Sequence, residues 1–265
     1  MEKSRVTTRS QISEVLSKVP EITLLFWLTK LLTTGMGEVF SDFLVVAINP
    51  FIAVILGGIG LVVSLILQFK ARRYVPWIYW LVVVMVSIFG TMVADVVHIV
   101  LGVPYLVSTI VFTLCLILVF LAWFKVEKTL SIHSIYTSKR ELFYWATVIV
   151  TFALGTATGD LTASNLHLGY FMSGVVFVLL IAAPAIGYKW FGLNSIFAFW
   201  FAYIMTRPAG ASFSDWLSKP SHFGGLGLGE GKISLILTLI IVVLVAYLQI
   251  THSNEEEGVL RANNR

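Results

Sequence analysis

Glu38, Asp42, Asp95, Asp160 and Asp215 are carboxylates set in or beside apolar runs long enough to cross a membrane. The cations Lys30 and Arg207, the hydroxyls of Thr34, Thr91 and Thr156, and His98 stand with them. Helical spacing aligns these residues. Lys30, Thr34, Glu38 and Asp42 recur every four positions and make one polar stripe. Ser87, Thr91, Asp95 and His98 share a face in the same way, as do Thr156, Asp160 and Ser164, and Tyr203, Arg207 and Asp215. A charge at the bilayer centre costs about 2.5–3.5 kcal/mol. Five acids facing lipid would therefore exceed the roughly 5–15 kcal/mol by which a fold is stable. They must face one another, a cation or water.

The five acids exceed Lys30 and Arg207 by three formal charges, a surplus that neutralises a divalent cation plus a proton. Oxygen donors with one imidazole and no thiolate suit Mn²⁺ or Mg²⁺ better than Cu⁺. The ion-binding set is Glu38, Asp42, Asp95, His98, Asp160 and Asp215, with Glu38, Asp95 and Asp160 as metal ligands. Lys30, Thr34, Thr91, Thr156 and Arg207 support it. The competing account is a set of ion pairs that fixes helix register: Lys30 with the acids around Glu38, and Arg207 with Asp215. Gly35, Gly37, Pro208 and Gly210 are candidate helix breaks whose freed carbonyls would line a cavity.

The elements that carry these residues are eight apolar segments: 22–48, 51–69, 76–103, 105–124, 142–168, 170–188, 194–217 and 232–250. Long segments with polar residues alternate with shorter, plainer ones. The chain is 58% hydrophobic and only 12% charged, against about 25% charged in soluble domains, which makes it an all-α membrane protein. Fourteen of its lysines and arginines fall on one side of the membrane and only Lys219 and Lys232 on the other. Both termini are therefore expected in the cytoplasm. The basic balance reflects topology and not nucleic-acid binding. Residues 1–21 read as a cytoplasmic segment. Ile12, Val15, Leu16 and Val19 recur there at the spacing of an interfacial helix, and nothing resembles a cleavable signal. The tail 251–265 carries Glu255-Glu256-Glu257 and reads as a disordered end. The glycine-rich link 219–231 reads as a mobile loop. Cys115 reads as a small buried packing residue.

The long segments repeat a motif: Thr34-x-x-Gly37-Glu38, Thr91-x-x-Ala94-Asp95, Thr156-x-x-Gly159-Asp160 and Arg207-x-x-Gly210-Ala211. Trp27, Trp80, Trp145 and Trp200 each precede an acid by fifteen residues, and Phe-Ser-Asp ends at both Asp42 and Asp215. On these residues the chain resembles the bacterial integral membrane proteins built from four tandem two-span repeats, each with a characteristic tryptophan, a repeat of unknown function. The resemblance implies eight transmembrane helices in four tandem repeats, about 22–70, 76–124, 142–189 and 194–250, in the bacterial inner membrane. It implies no particular activity.

The residues themselves point to a secondary transporter of a small cation, most simply a divalent metal such as manganese moving outward, with protons exchanged on the acids. No phosphate-binding Gly-x-x-x-x-Gly-Lys-Ser/Thr loop and no His-Glu-x-x-His pair occurs, so neither ATP drive nor zinc hydrolase chemistry is encoded. The chain is expected not to be an enzyme and to need no cofactor beyond the transported ion. The lipid bilayer is the expected environment, and a homo-oligomer is left open. Two alternatives stand beside this reading. One is a proton-coupled carrier of a small organic solute whose anionic group meets Lys30 and Arg207. The other is a sensor or assembly protein whose charges only hold the bundle.

Overall fold

The computed structural model describes residues 17–263, with side chains described as far as Asn254. Among them are eight long α-helices: α1 (Leu24–Ala47), α2 (Pro50–Lys70), α3 (Pro76–Asp95), α4 (Tyr105–Glu127), α5 (Ser138–Asp160), α6 (Gly169–Phe191), α7 (Ser195–Ser218) and α8 (Glu230–Asn263). Local chemistry sets several of the starts. Thr23, Asn49, Thr137 and Asn194 accept hydrogen bonds from first-turn amides, and Pro50 and Pro76 occupy the first helical turn, where no N–H is missed. Six helices are long and apolar enough to span a membrane. The other two, α1 and α7, are the ones that carry Lys30, Glu38 and Asp42, and Arg207 and Asp215.

The four helices that carry the motifs form a closed inner ring, α1 against α3, α3 against α5, α5 against α7, and α7 against α1. Each outer helix packs mainly on the inner helix of the next repeat: α2 on α3, α4 on α5, α6 on α7. Helix α8 closes the circle on α1. This hand-over explains the contrast in sequence. Inner helices bury most of their surface in protein, whereas the outer ones show apolar residues such as Ile55, Ile59, Leu114, Leu118 and Val243 around the perimeter, where lipid supplies the apolar solvent.

A glycine sits at every contact of the ring. A Cβ on Gly37 would strike Ser87 of α3, one on Gly90 would meet Phe152 of α5 at 2.7 Å, and one on Gly155 would strike Arg207 of α7. At Gly210 it would reach the Gly35 amide of α1 at 2.9 Å. Close approach of this kind is what small residues permit in membrane bundles. The expected breaks at Gly35, Gly37, Pro208 and Gly210 do not occur. Helices α1 and α7 run through them unbroken, because the missing side chains are used for packing. The irregularity lies elsewhere: directly after Asp95 and Asp160, α3 and α5 loosen into single π-helical turns, Val96–Val100 and Leu161–Asn165.

At the end where the inner helices begin, an aromatic layer fills the ring. Each repeat contributes an aromatic-tryptophan pair: Phe26-Trp27, Tyr79-Trp80, Tyr144-Trp145 and Phe199-Trp200. Phe26 meets Trp80 and Phe199, and Tyr144 meets Trp200. The hydroxyls of Tyr79 and Tyr144 are 2.5 Å apart. Beneath this layer Lys18 donates to Glu141 at 2.6 Å, and Gln68 donates to the same carboxylate at 2.9 Å.

Several expectations are corrected. Cys115 is exposed on the outer face of α4, because an apolar run does not reveal whether lipid or protein covers it. The backbone stays helical to Asn263, so residues 251–263 continue α8 in place of the expected disordered end. The 219–231 link folds back on α7, with the amides of Leu226, Leu228 and Gly229 donating to the carbonyls of Trp216, Leu217 and Ser218. The interfacial helix expected around Ile12, Val15 and Leu16 lies outside the described residues, while Val19 is buried in the core.

Candidate functional site

The ring brings the four repeat motifs to one level, because its helices run in the same direction and carry the motif at matching positions. Arg207 of α7 replaces the threonine of the other three repeats, and its long side chain crosses to them. It is fully buried. Its Nη1 donates to the Thr34 carbonyl at 3.2 Å, and Nη2 donates to Glu38 Oε2 at 2.5 Å and to Thr156 Oγ1 at 2.7 Å. The same nitrogen also contacts the Thr91 hydroxyl, which donates in turn to Glu38 Oε2 at 3.0 Å. Thr34 Oγ1 reaches the Thr206 carbonyl at 3.2 Å. One guanidinium therefore joins α1, α3, α5 and α7.

This arrangement revises the expected pairing. Arg207 pairs with Glu38 and not with Asp215. Lys30 makes no hydrogen bond to an acid; its buried Nζ lies 4.1 Å from the Phe152 ring centre and 4.3 Å from that of Tyr203. Sequence spacing puts Lys30 and Glu38 on one face, but they are two turns apart along α1, about 12 Å at 1.5 Å per residue. The ammonium therefore meets aromatic faces before it can reach a carboxylate.

Above the Arg207 level the acids converge. Glu38, Asp42 and Asp215 each place one carboxylate oxygen within 4.8 Å of the others. Asp95 lies within electrostatic reach of Asp42, Glu38 and Asp160, and Asp160 within reach of Glu38, Asp42 and Arg207. The tight group is therefore Glu38, Asp42 and Asp215. Asp95 and Asp160 stand at the α-to-π junctions, outside the tight three-carboxylate group. His98 is elsewhere: its ring meets the Val103 carbonyl at 3.2 Å, Ser108 at 3.4 Å and the Tyr105 ring at 4.3 Å. The π-turn swings it toward the start of α4, away from the cluster.

Two participants were not foreseen. Lys219, directly after α7, donates to Asp42 Oδ2 at 2.5 Å and to Glu230 Oε1 at 3.0 Å. Both fall in the glycine-rich link, and no periodicity ties them to the acids. The aromatic residue before each tryptophan was also missed, although Phe26, Tyr79, Tyr144 and Phe199 are visible at a fixed offset in the repeat.

A family comparison matches four consecutive segments, residues 25–74, 78–129, 143–192 and 198–254, to the Repeat of Unknown Function known as DUF347. The chain belongs to the DUF347 family. Each DUF347 repeat supplies one inner and one outer helix, so the ring is a product of repetition, and Arg207 marks the place where the fourth repeat departs from the first three. No curated protein and no solved structure matches the chain. The protein is an integral, multi-span membrane protein with a buried carboxylate cluster.

Proposed function

We propose that this protein is a secondary transporter of a small cation, a divalent metal such as Mn²⁺, in the bacterial inner membrane. In this reading both termini face the cytoplasm, transport runs outward, and protons exchange on the carboxylates. It is a carrier and not an enzyme. The observation that carries the reading is the convergence of Glu38, Asp42 and Asp215 within 4.8 Å. Glu38 lies fourteen residues into α1, about 21 Å along its axis and so in the outer half of a core about 30 Å thick. Three hard oxygen donors at that depth suit a cation that has shed part of its water, and the surplus of acid supplies exchangeable protons.

Purified protein in proteoliposomes tests this directly. Wild type should move Mn²⁺ down its gradient with counter-movement of protons. Glu38→Gln and Asp215→Asn should lose at least about tenfold of the flux, the cost of one charged ligand, while still eluting as folded protein. Absence of Mn²⁺ binding and flux in the wild type would refute the assignment.

One observation favours the second reading, a small organic solute with an anionic group. Lys30 Nζ is buried with no hydrogen-bond partner and would gain one from such a group. Under that reading Lys30→Met abolishes solute uptake; under the metal reading Mn²⁺ flux survives it.

A further inference from the structure

Two protein cations already occupy the carboxylate cluster, and they are held very differently. Arg207 is buried at the centre of the ring and bonded from the other three inner helices. Lys219 enters from the rim on the link between α7 and α8, and about a quarter of its side chain is exposed. It holds Asp42, one of the three converging acids, and Glu230. Asp215 feels the same ammonium, yet its Oδ1 is buried with no hydrogen-bond partner. That oxygen is one donor short.

We infer that Lys219 is a tethered stand-in for the transported cation: it neutralises the carboxylate cluster when no ion is bound and is displaced from Asp42 when one enters. The inference rests on the transport reading above and adds how the empty site is managed. Three carboxylates with only Arg207 beside them would leave an uncompensated negative centre inside the membrane, which is costly. Lys219 removes part of that charge. It is suited to leave because Glu230 offers it a second carboxylate outside the cluster, at 3.0 Å. The move needs only the lysine side chain, since the link itself is tied back to α7. With carboxylates on two sides, Asp42 and Glu230, the ammonium acts as a fixed charge that moves.

The consequence is specific. An empty carrier must return across the membrane for net transport, and Lys219 lets it return neutralised. Without Lys219, the returning carrier should need a bound metal ion or one proton more than the wild type, so net efflux falls while metal-for-metal exchange continues. The experiment compares wild type, Lys219→Gln and Lys219→Arg in proteoliposomes and in detergent, with Mn²⁺ alone as the ligand. Lys219→Gln should bind Mn²⁺ about tenfold more tightly, because one charged competitor is gone. Its net efflux into metal-free buffer should fall about tenfold or more, with exchange of isotopic Mn²⁺ across the membrane retained. Lys219→Arg should stay close to wild type in both. Unchanged or weaker Mn²⁺ binding by Lys219→Gln, or equal loss of net flux and exchange, overturns the inference while leaving the transport reading in place. No Mn²⁺ binding by wild type or any variant overturns both.

Discussion

The Arg207–Glu38 pair offers a quantitative test of how the ring is held together. Replacing Glu38 by Met leaves the guanidinium with only neutral acceptors, the Thr34 carbonyl and the hydroxyls of Thr91 and Thr156. Arginine cannot shed its proton to relieve this, so the variant should lose about 3–5 kcal/mol of stability. Replacing Arg207 by Met leaves Glu38 with the Thr91 hydroxyl at 3.0 Å. The carboxylate can take up a proton, so the loss should be smaller, about 2–3 kcal/mol. Removing both groups removes the mismatch, and an apolar pair of similar volume is often near neutral. The double variant should therefore be more stable than either single variant, with a coupling close to the sum of the two single losses, about 5–8 kcal/mol. Reversible unfolding in mixed micelles, followed by the fluorescence of the eight tryptophans, measures all four corners of the cycle. If the two single losses add to within about 0.5 kcal/mol in the double variant, the two residues are energetically independent and the account of the central cross-link is wrong.

Two further outcomes follow from the same geometry. Gly37→Ala should destabilise the protein by about 1–3 kcal/mol, since the added carbon would collide with the Ser87 side chain and come within 2.9 Å of its carbonyl carbon. The same unfolding assay reads it, and a neutral effect would mean that α1 and α3 can move apart freely. His98→Ala should leave Mn²⁺ affinity within about twofold of wild type, below 0.5 kcal/mol, because the ring is engaged with Val103, Ser108 and Tyr105; a tenfold loss in calorimetric titration would return it to the ion site.

Much of the fold was legible because bilayer thickness acts on sequence directly. A span needs about 20 apolar residues, and eight such runs with basic links between alternate pairs leave few other architectures. The repeat was legible in Trp27, Trp80, Trp145 and Trp200 and in the acids fifteen residues beyond them. Gathering of the acids was legible too, from the cost of exposing them to lipid. Partner choice was not. Helical periodicity assigns a residue to a face, but says nothing of the azimuth of a neighbouring helix or of how far a side chain reaches across a gap. Spacing alone made Asp215, two turns along α7, as reasonable a partner for Arg207 as Glu38 of α1.

By itself, then, the sequence determined the membrane setting, the eight helices, the fourfold repetition and the need for buried carboxylates to share a common interior, because each depends on hydropathy, length or spacing along one chain. Only the tertiary structure decided that Arg207 binds Glu38 and reaches two further helices, that Lys30 rests between Phe152 and Tyr203, and that Lys219 reaches Asp42. Those contacts join residues up to 177 positions apart. They exist because the ring closes α7 on α1, a consequence of packing all four repeats together that no single segment encodes.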